Sequence, residues 1–380
     1  MKVINSIADL RDLARRRVPR AFFGYVDGGS YDELTLRANR ADFEALRFRQ
    51  RVLVDASTQN LGTSILGRAA TMPLVLAPTG MAGFIHGNGE IHAARAAEAA
   101  GVPFCLSTVS ICSMEDVRAA SSAPFWFQLY VLRDRGFTGE LMDRAQAAGC
   151  EVLMFTVDIP VGGLRRRDAK NGLTVPPRLT LRNALDLAGK PRWAWSMLTA
   201  KRREFGNLSA AVARARGVHF SQWVQSQVDP SLTWDDLAWV RQRWKGKLIV
   251  KGILDAEDAR RVVDMGADAL VVSNHGGRQL DGASSTIAAL PAVVEAVQGH
   301  CEVLLDSGIR SGQDMLKAMA LGASATLVGR AWLYGLGALG QQGVALALDI
   351  LRRELAVTMA LTGCKDVRAA SRDLLVAQAR

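Results

Sequence analysis

A chain of 380 residues, 49% of them hydrophobic, can bury a large core and has the length of one large α/β barrel with additions or of two domains. The excess of 47 Lys and Arg over 37 Asp and Glu is spread through much of the sequence without a zinc-finger spacing or RNA-reading signature, so no nucleic acid is expected as partner. Five cysteines with no CxxC pair, a charged start from Met1 to Arg20 and no long uninterrupted apolar run argue against a disulfide framework, a secretory signal and a spanning helix, and favour a cytoplasmic protein.

Residues 1–70 read as an N-terminal helical leader, with Asp9-Leu10-Arg11-Asp12-Leu13-Ala14 as an amphipathic start and Phe22, Phe23, Tyr25 and Val26 ahead of Gly28-Gly29. Across 71–370 a short aliphatic run, a polar or glycine-rich turn and an Ala-rich helical stretch recur. Eight strands are expected, at Pro73–Ala77, Pro103–Leu106, Phe125–Leu129, Val152–Val157, Leu248–Lys251, Ala269–Val272, Val303–Asp306 and Ala325–Val328. Helices are expected between them, including Glu90–Ala100, Glu140–Ala148, Ala256–Met265, Thr286–Val297 and Gln313–Leu321. The alternation predicts a single-domain (β/α)8 TIM barrel of the α/β class, and no GxGxxG follows the first strand to support a doubly wound sheet. Roughly ninety residues separate the fourth and fifth strands, which predicts a long insertion, 175–230, on the active-site face. Its stretch from Lys190 to Arg203 mixes tryptophans with cations, a composition that suits an anionic membrane interface or a lid packed on the barrel.

The strand ends collect polar residues. Ser273-Asn274-His275-Gly276-Gly277-Arg278 starts where Ala269–Val272 stops, and offers a base active near neutral pH and a bidentate carboxylate clamp three residues apart. Singly, each rim residue has a structural explanation, such as Asp158 capping a helix or Lys251 pairing with a carboxylate. Jointly they exceed what solvation requires. Asp306 to Arg310 and Gly329-Arg330 have the form of a barrel phosphate site, while Ser107, Gln128 and Thr156 offer hydrogen bonds to a planar heterocycle and Lys251 offers charge to an electron-rich ring. A phosphorylated redox cofactor such as a flavin satisfies both halves. A phosphate-binding barrel without redox chemistry is the distant alternative.

The nonapeptide from Ser273 to Asp281, with Lys251-Gly252-Ile253-Leu254, Asp306-Ser307-Gly308-Ile309-Arg310-Ser311-Gly312 and Gly329-Arg330, resembles the FMN-dependent 2-hydroxy acid dehydrogenases and oxidases, among them bacterial L-lactate dehydrogenase, (S)-mandelate dehydrogenase and glycolate oxidase. The similarity runs from about Ile7 to Leu375 and weakens between about Val175 and Pro230. It implies that His275 is the base, that Asp158 holds its other nitrogen, that Arg278, Tyr25 and Arg165 bind the substrate carboxylate and that Tyr130 bonds the substrate hydroxyl. Pro78, Thr79, Gly80, Ser107, Gln128, Thr156 and Ser273 would line the FMN ring, with Lys251 beside its N1 and O2. Asp306, Gly308, Arg310, Gly329 and Arg330 would hold its ribityl phosphate; no metal is implied. The implied reaction is oxidation of an (S)-2-hydroxy acid to the 2-keto acid, with L-lactate ahead of (S)-mandelate. Gly80, where glycolate oxidases carry alanine, implies a quinone or another non-oxygen acceptor in preference to oxygen, and Val109, where they carry tryptophan, a roomier pocket. The resemblance also implies a homotetramer and peripheral contact with the cytoplasmic face of the inner membrane.

Overall fold

The computed structural model describes residues 3–173, 181–209, 212 and 226–376, so part of the expected insertion lies outside the described residues. The leader forms three helices, α1 (Ile7–Arg17), α2 (Arg20–Asp27) and α3 (Leu34–Ala45). Ser6 Oγ accepts the Asp9 N–H at 3.1 Å to cap α1, and Pro19 separates it from α2. A hairpin that the periodicity did not suggest follows, β1 (Thr63–Ile65) and β2 (Arg68–Ala70), whose Ile65 and Ala70 pack into the barrel interior.

The barrel then runs β3 (Leu74–Leu76), α4 (Ala82–Ile85), α5 (Gly89–Ala100), β4 (Cys105–Ser107), α6 (Met114–Ala120), β5 (Trp126–Leu129), α7 (Arg135–Ala147) and β6 (Val152–Thr156). After α8 (Arg166–Lys170), α9 (Leu181–Ala188) and α10 (Pro191–Leu198) come α11 (Trp234–Arg243), β7 (Lys247–Ile253), α12 (Ala256–Asp264) and β8 (Ala269–Val272). The chain closes with α13 (Thr286–Val297), β9 (Glu302–Leu305), α14 (Gly312–Ala320), β10 (Ala325–Val328), α15 (Arg330–Leu339) and α16 (Gln341–Thr362). All eight expected strands are present, parallel and in the order β3-β10-β9-β8-β7-β6-β5-β4, and a bridge from Leu76 to Phe104 joins the two end strands. Helix α7 starts five residues before the expected Glu140, because the Asp134 carboxylate accepts the Phe137 N–H at 2.9 Å and nucleates an earlier turn. Strand β7 runs two residues past Lys251, through a register shift that places Gly252 at φ 115°.

Strand side chains alternate between two clusters. Val75, Cys105, Trp126, Met154, Ile249, Val271, Leu304 and Leu327 pack inside the barrel, while Leu76, Leu106, Phe127, Phe155, Val250, Val272 and Leu305 pack under the helices. Followed toward the C-terminal rim, the inward phase arrives at Ser107, Gln128, Thr156, Lys251 and Ser273.

The leader closes one side of this rim. Asn39 of α3 and Asn274 form a reciprocal buried amide pair, each Nδ2 donating to the other's Oδ1 at 2.8 Å. Asn274 Oδ1 also accepts the Gly277 N–H at 3.0 Å, and Asn39 Oδ1 accepts that of Thr286 at 3.3 Å. Thr286 in turn donates to the carbonyls of Asp306 and Ser307, at 2.6 and 2.9 Å. One leader side chain thus ties the loop after β8 to the loop after β9. Replacing Asn39→Ala takes the acceptor away from one Asn274 N–H and from the buried Thr286 N–H, and is expected to cost about 1–3 kcal/mol in denaturant unfolding. It should also raise KM, because Arg278 rides on the same turn; an unchanged KM would show that the turn keeps its form without α3.

Candidate active site

A cavity of about 430 Å³ opens at the C-terminal rim, lined by Tyr25, Thr79, Gly80, Val109, Gln128, Tyr130, Thr156, Arg165, Lys251, His275, Arg278, Asp306, Gly308, Arg310, Gly329 and Arg330 among others. Pro78 also lines it, whereas Ser107, Ser273 and Asp158 stand behind the wall and act on residues that do.

His275, Gly276 and Gly277 are all left-handed, at φ 58°, 71° and 70°. Glycine adopts this readily; histidine does so at a cost that surrounding contacts must hold. They do: the His275 N–H donates to Ser273 Oγ at 3.1 Å, and Nδ1 lies 3.0 Å from the Asp158 carboxylate. With Nδ1 as the donor in that bond, Nε2 is left as the basic nitrogen of the neutral ring. Burial pushes the imidazole below its ordinary value, with Asp158 opposing and Lys251 reinforcing the shift. Burial acts to raise the Asp158 carboxyl, but His275 and Lys251 outweigh it and hold the group ionised.

Asp158 needs room. A Cβ on Gly252 would stand 2.6 Å from the Asp158 Cβ and 2.8 Å from its carboxyl carbon. The bulge in β7 therefore does two jobs, admitting Asp158 behind His275 and leaving Lys251 turned inward. Lys251 donates to Ser273 Oγ at 2.7 Å and pairs with Asp306 at 2.9 Å. Burial opposes its charge, yet Asp306 and Asp158 raise its pKa, so it stays a cation.

Another side of the cavity is made by Arg278 and Arg165. Arg278 Nη1 donates to the carbonyls of Tyr25 and Gly28, its guanidinium lies 4.3 Å from the centre of the Tyr25 ring, and its buried Nη2 has no partner among the described residues. Arg165 stands 5.8 Å from the same ring, with a buried Nε also unmatched among them. Burial and Arg165 push Arg278 down to about 10. Burial also raises the Tyr130 hydroxyl well above its usual range, which keeps it a neutral donor.

Farther along the rim, Arg330 spends three N–H groups on the carbonyls of Val26, Gly276 and Gly28, at 2.8, 2.9 and 2.7 Å. Burial, with Arg310 nearby, pushes it down to about 9, and burial likewise depresses Arg310. Crowded cations on one wall are poised for a dianion. Elsewhere on the wall, Ser107 Oγ donates to Gln128 Oε1 at 2.9 Å, which leaves the Gln128 amide nitrogen without a partner among the described residues. The hydroxyls of Thr79 and Thr156 are buried and unmatched among them as well. Orphaned donors and acceptors in a cavity that also holds Arg310, Arg330 and Gly308 at φ 113° fit the heterocycle and phosphate of FMN. No cluster of potential metal ligands occurs among the described residues.

Sequence reasoning did not find Leu208, Val228 and Asp229 of the insertion and Leu232 just after it, which line the cavity, nor the roles of Asn39 and Gly252. The first group carries no local motif. Gly252, lying between Lys251 and Ile253 in a strand, could have been read as a bulge.

The family model described as FMN-dependent dehydrogenase matches residues 14–377. The chain is 48% identical over 375 residues to an L-lactate dehydrogenase of Caulobacter vibrioides, covering 98% of each chain, and 47% identical to that of Ectopseudomonas mendocina, covering 98% of this chain and 99% of that one. Among solved structures, the monotopic membrane protein (S)-mandelate dehydrogenase superposes with a TM-score of 0.94 at 38% identity, over 99% of this chain and 100% of that one. A mandelate oxidase follows at 41% identity and a TM-score of 0.83, over 99% of both.

Because any side chain at position 252 meets Asp158, Gly252→Ala is expected to keep bound flavin but slow its reduction by substrate at least about tenfold, as Asp158 loses its place behind His275. Stopped-flow absorbance measures it, and a reduction rate equal to the parent's would remove Gly252 from the alignment of Asp158.

Proposed function

The chain belongs to the FMN-dependent dehydrogenase family, and from that premise we propose that it oxidises L-lactate to the 2-keto acid and passes the electrons to a quinone or another acceptor than oxygen. The observation that carries this reading is that His275, tied to Asp158, shares one cavity with two arginines whose buried N–H groups lack partners among the described residues. FMN bound in that cavity supplies a two-electron acceptor. Arg278 and Arg165 bind the substrate carboxylate and so set which face of the α-carbon is presented. Tyr130 donates to the substrate hydroxyl. His275 Nε2 takes the proton released on oxidation, and Asp158 stabilises the imidazolium that results. Lys251, Gln128, Thr156 and Thr79 hold the ring, while Arg310, Arg330, Gly308 and Gly329 surround the phosphate. Leader and barrel act as one unit, since Tyr25 comes from the leader.

A second reading, (S)-mandelate as substrate, is favoured by one feature of the cavity. Val109, Leu132, Ile159, Leu208 and Leu232 all line the cavity, more apolar lining than a methyl group needs. Peripheral membrane contact is supported by Trp195 and Leu198, each 69% exposed and three residues apart on α10. No helix among the described residues is long and apolar enough to cross a membrane. Assembly as a homotetramer is part of the same proposal.

Anaerobic addition of L-lactate should bleach the yellow enzyme, with (S)-mandelate slower; no bleaching by any 2-hydroxy acid would sink the reading. His275 must be neutral to accept a proton, so kcat/KM is expected to rise with pH through a limb whose midpoint lies below the ordinary histidine value of 6.5. Asp158→Asn removes the carboxylate that raises this pKa, and should move the limb to lower pH while the rate drops by orders of magnitude. A limb moving upward would contradict the pairing. Around Gly80, an added Cβ would lie 2.6 Å from Val109 Cγ2, so Val109 closes the space that alanine takes in the oxidases. Turnover with a soluble quinone should exceed oxygen consumption at least about tenfold, a margin of 1.4 kcal/mol in barrier height; equal rates would remove the acceptor assignment.

A further inference from the structure

A second cavity, of about 180 Å³, lies where the end of α1 meets α4, the first turn of α10 and the end of α15. Arg17, His86, Arg192 and Trp193 line it, and no carboxylate does. Arg17 donates to the Ala338 carbonyl, and partial burial together with Arg192 holds its guanidinium below its ordinary value. Arg192 is exposed, with no ion-pair partner among the described residues. The indole of Trp193 is a fixed wall, donating to the Phe84 carbonyl at 2.8 Å and stacking on Phe22 at 5.7 Å. Lys190 joins the two cationic segments by donating to the Arg16 carbonyl at 2.7 Å. The same short helix that carries Arg192 and Trp193 exposes Trp195 and Leu198.

Two guanidinium groups brought together without a counter-ion form a receptor for a tetrahedral oxyanion, which they can bind through paired N–H groups. We propose that this cavity binds a phosphate group, carried by an acidic phospholipid headgroup or free in solution. The lipid source rests on the membrane-contact reading, in which Trp195 and Leu198 enter the lipid surface and bring Arg17 and Arg192 to headgroup depth. Because Arg17 belongs to the leader and Arg192 to the insertion, an occupied cavity would join the two.

The test is flotation of the FMN-loaded enzyme with phosphatidylcholine vesicles and with vesicles containing phosphatidylglycerol as well. Arg192→Gln should weaken binding to the acidic vesicles about fivefold, and leave both binding to neutral vesicles and turnover with a soluble acceptor unchanged. Arg17→Gln should match it, and a misfolded Arg17→Gln leaves Arg192→Gln to decide. Trp195→Ser should weaken binding to both vesicle types. Acidic-vesicle binding by Arg192→Gln equal to the parent's overturns a lipid phosphate in the cavity and leaves the membrane reading standing. If the parent floats with neither vesicle, the membrane reading fails, and inorganic phosphate decides alone: a melting temperature raised in the parent but not in Arg192→Gln supports free phosphate as the ligand, and no difference between the two overturns the site.

Discussion

A strand covered on both faces must alternate its side chains between the barrel interior and the helical shell, and in this chain that alternation runs on to the rim. The inward positions are filled by Val, Met, Ile and Leu through the middle of the barrel and change to Ser107, Gln128, Thr156, Lys251 and Ser273 at the top. One geometric rule therefore aims five polar side chains from five strands into the same few ångströms. The polar layer stands on an apolar one, so each buried donor or acceptor must find a partner in its neighbours or in a ligand. Ser107 and Ser273 find theirs in Gln128 and Lys251, whereas Gln128 Nε2 and Thr156 Oγ1 have none among the described residues, which leaves them open to a ligand.

The electrostatics follow from how little countercharge the rim contains. Lys251 remains charged because Asp306 and Asp158 outweigh its burial. Arg278, Arg310 and Arg330 are not balanced in this way, and burial lowers all three. A site that leaves cations under-compensated favours the binding of anions, and the proposed reaction brings two, the cofactor phosphate and the substrate carboxylate. His275 shares the cavity with its Nδ1 on Asp158 and with Lys251 and Arg165 adding positive charge nearby.

Much of this was legible in residues that lie close together in sequence. The eight aliphatic runs appear as eight strands, and the polar clusters at their ends surround the cavity. What was not legible involved partners distant in the chain. Asn39 reads as an unremarked polar residue on a helix until Asn274, 235 positions later, is seen to return both of its hydrogen bonds. Gly252 reads as part of a motif until Asp158 occupies the place of its Cβ. The leader's contribution was visible only as aromatic residues before two glycines, although Tyr25 and the carbonyls of Val26 and Gly28 prove to organise Arg278 and Arg330.

By itself the sequence determined the barrel, the candidate base and clamp and the expectation of a flavin, because strand period, turn glycines and a contiguous motif are all local properties. Only the tertiary structure decided which rim residues face the cavity and which stand behind them, how α3 joins two loops, and that Arg17 and Arg192 share a cleft. Those outcomes depend on distances between segments far apart in the chain, which periodicity and spacing do not encode.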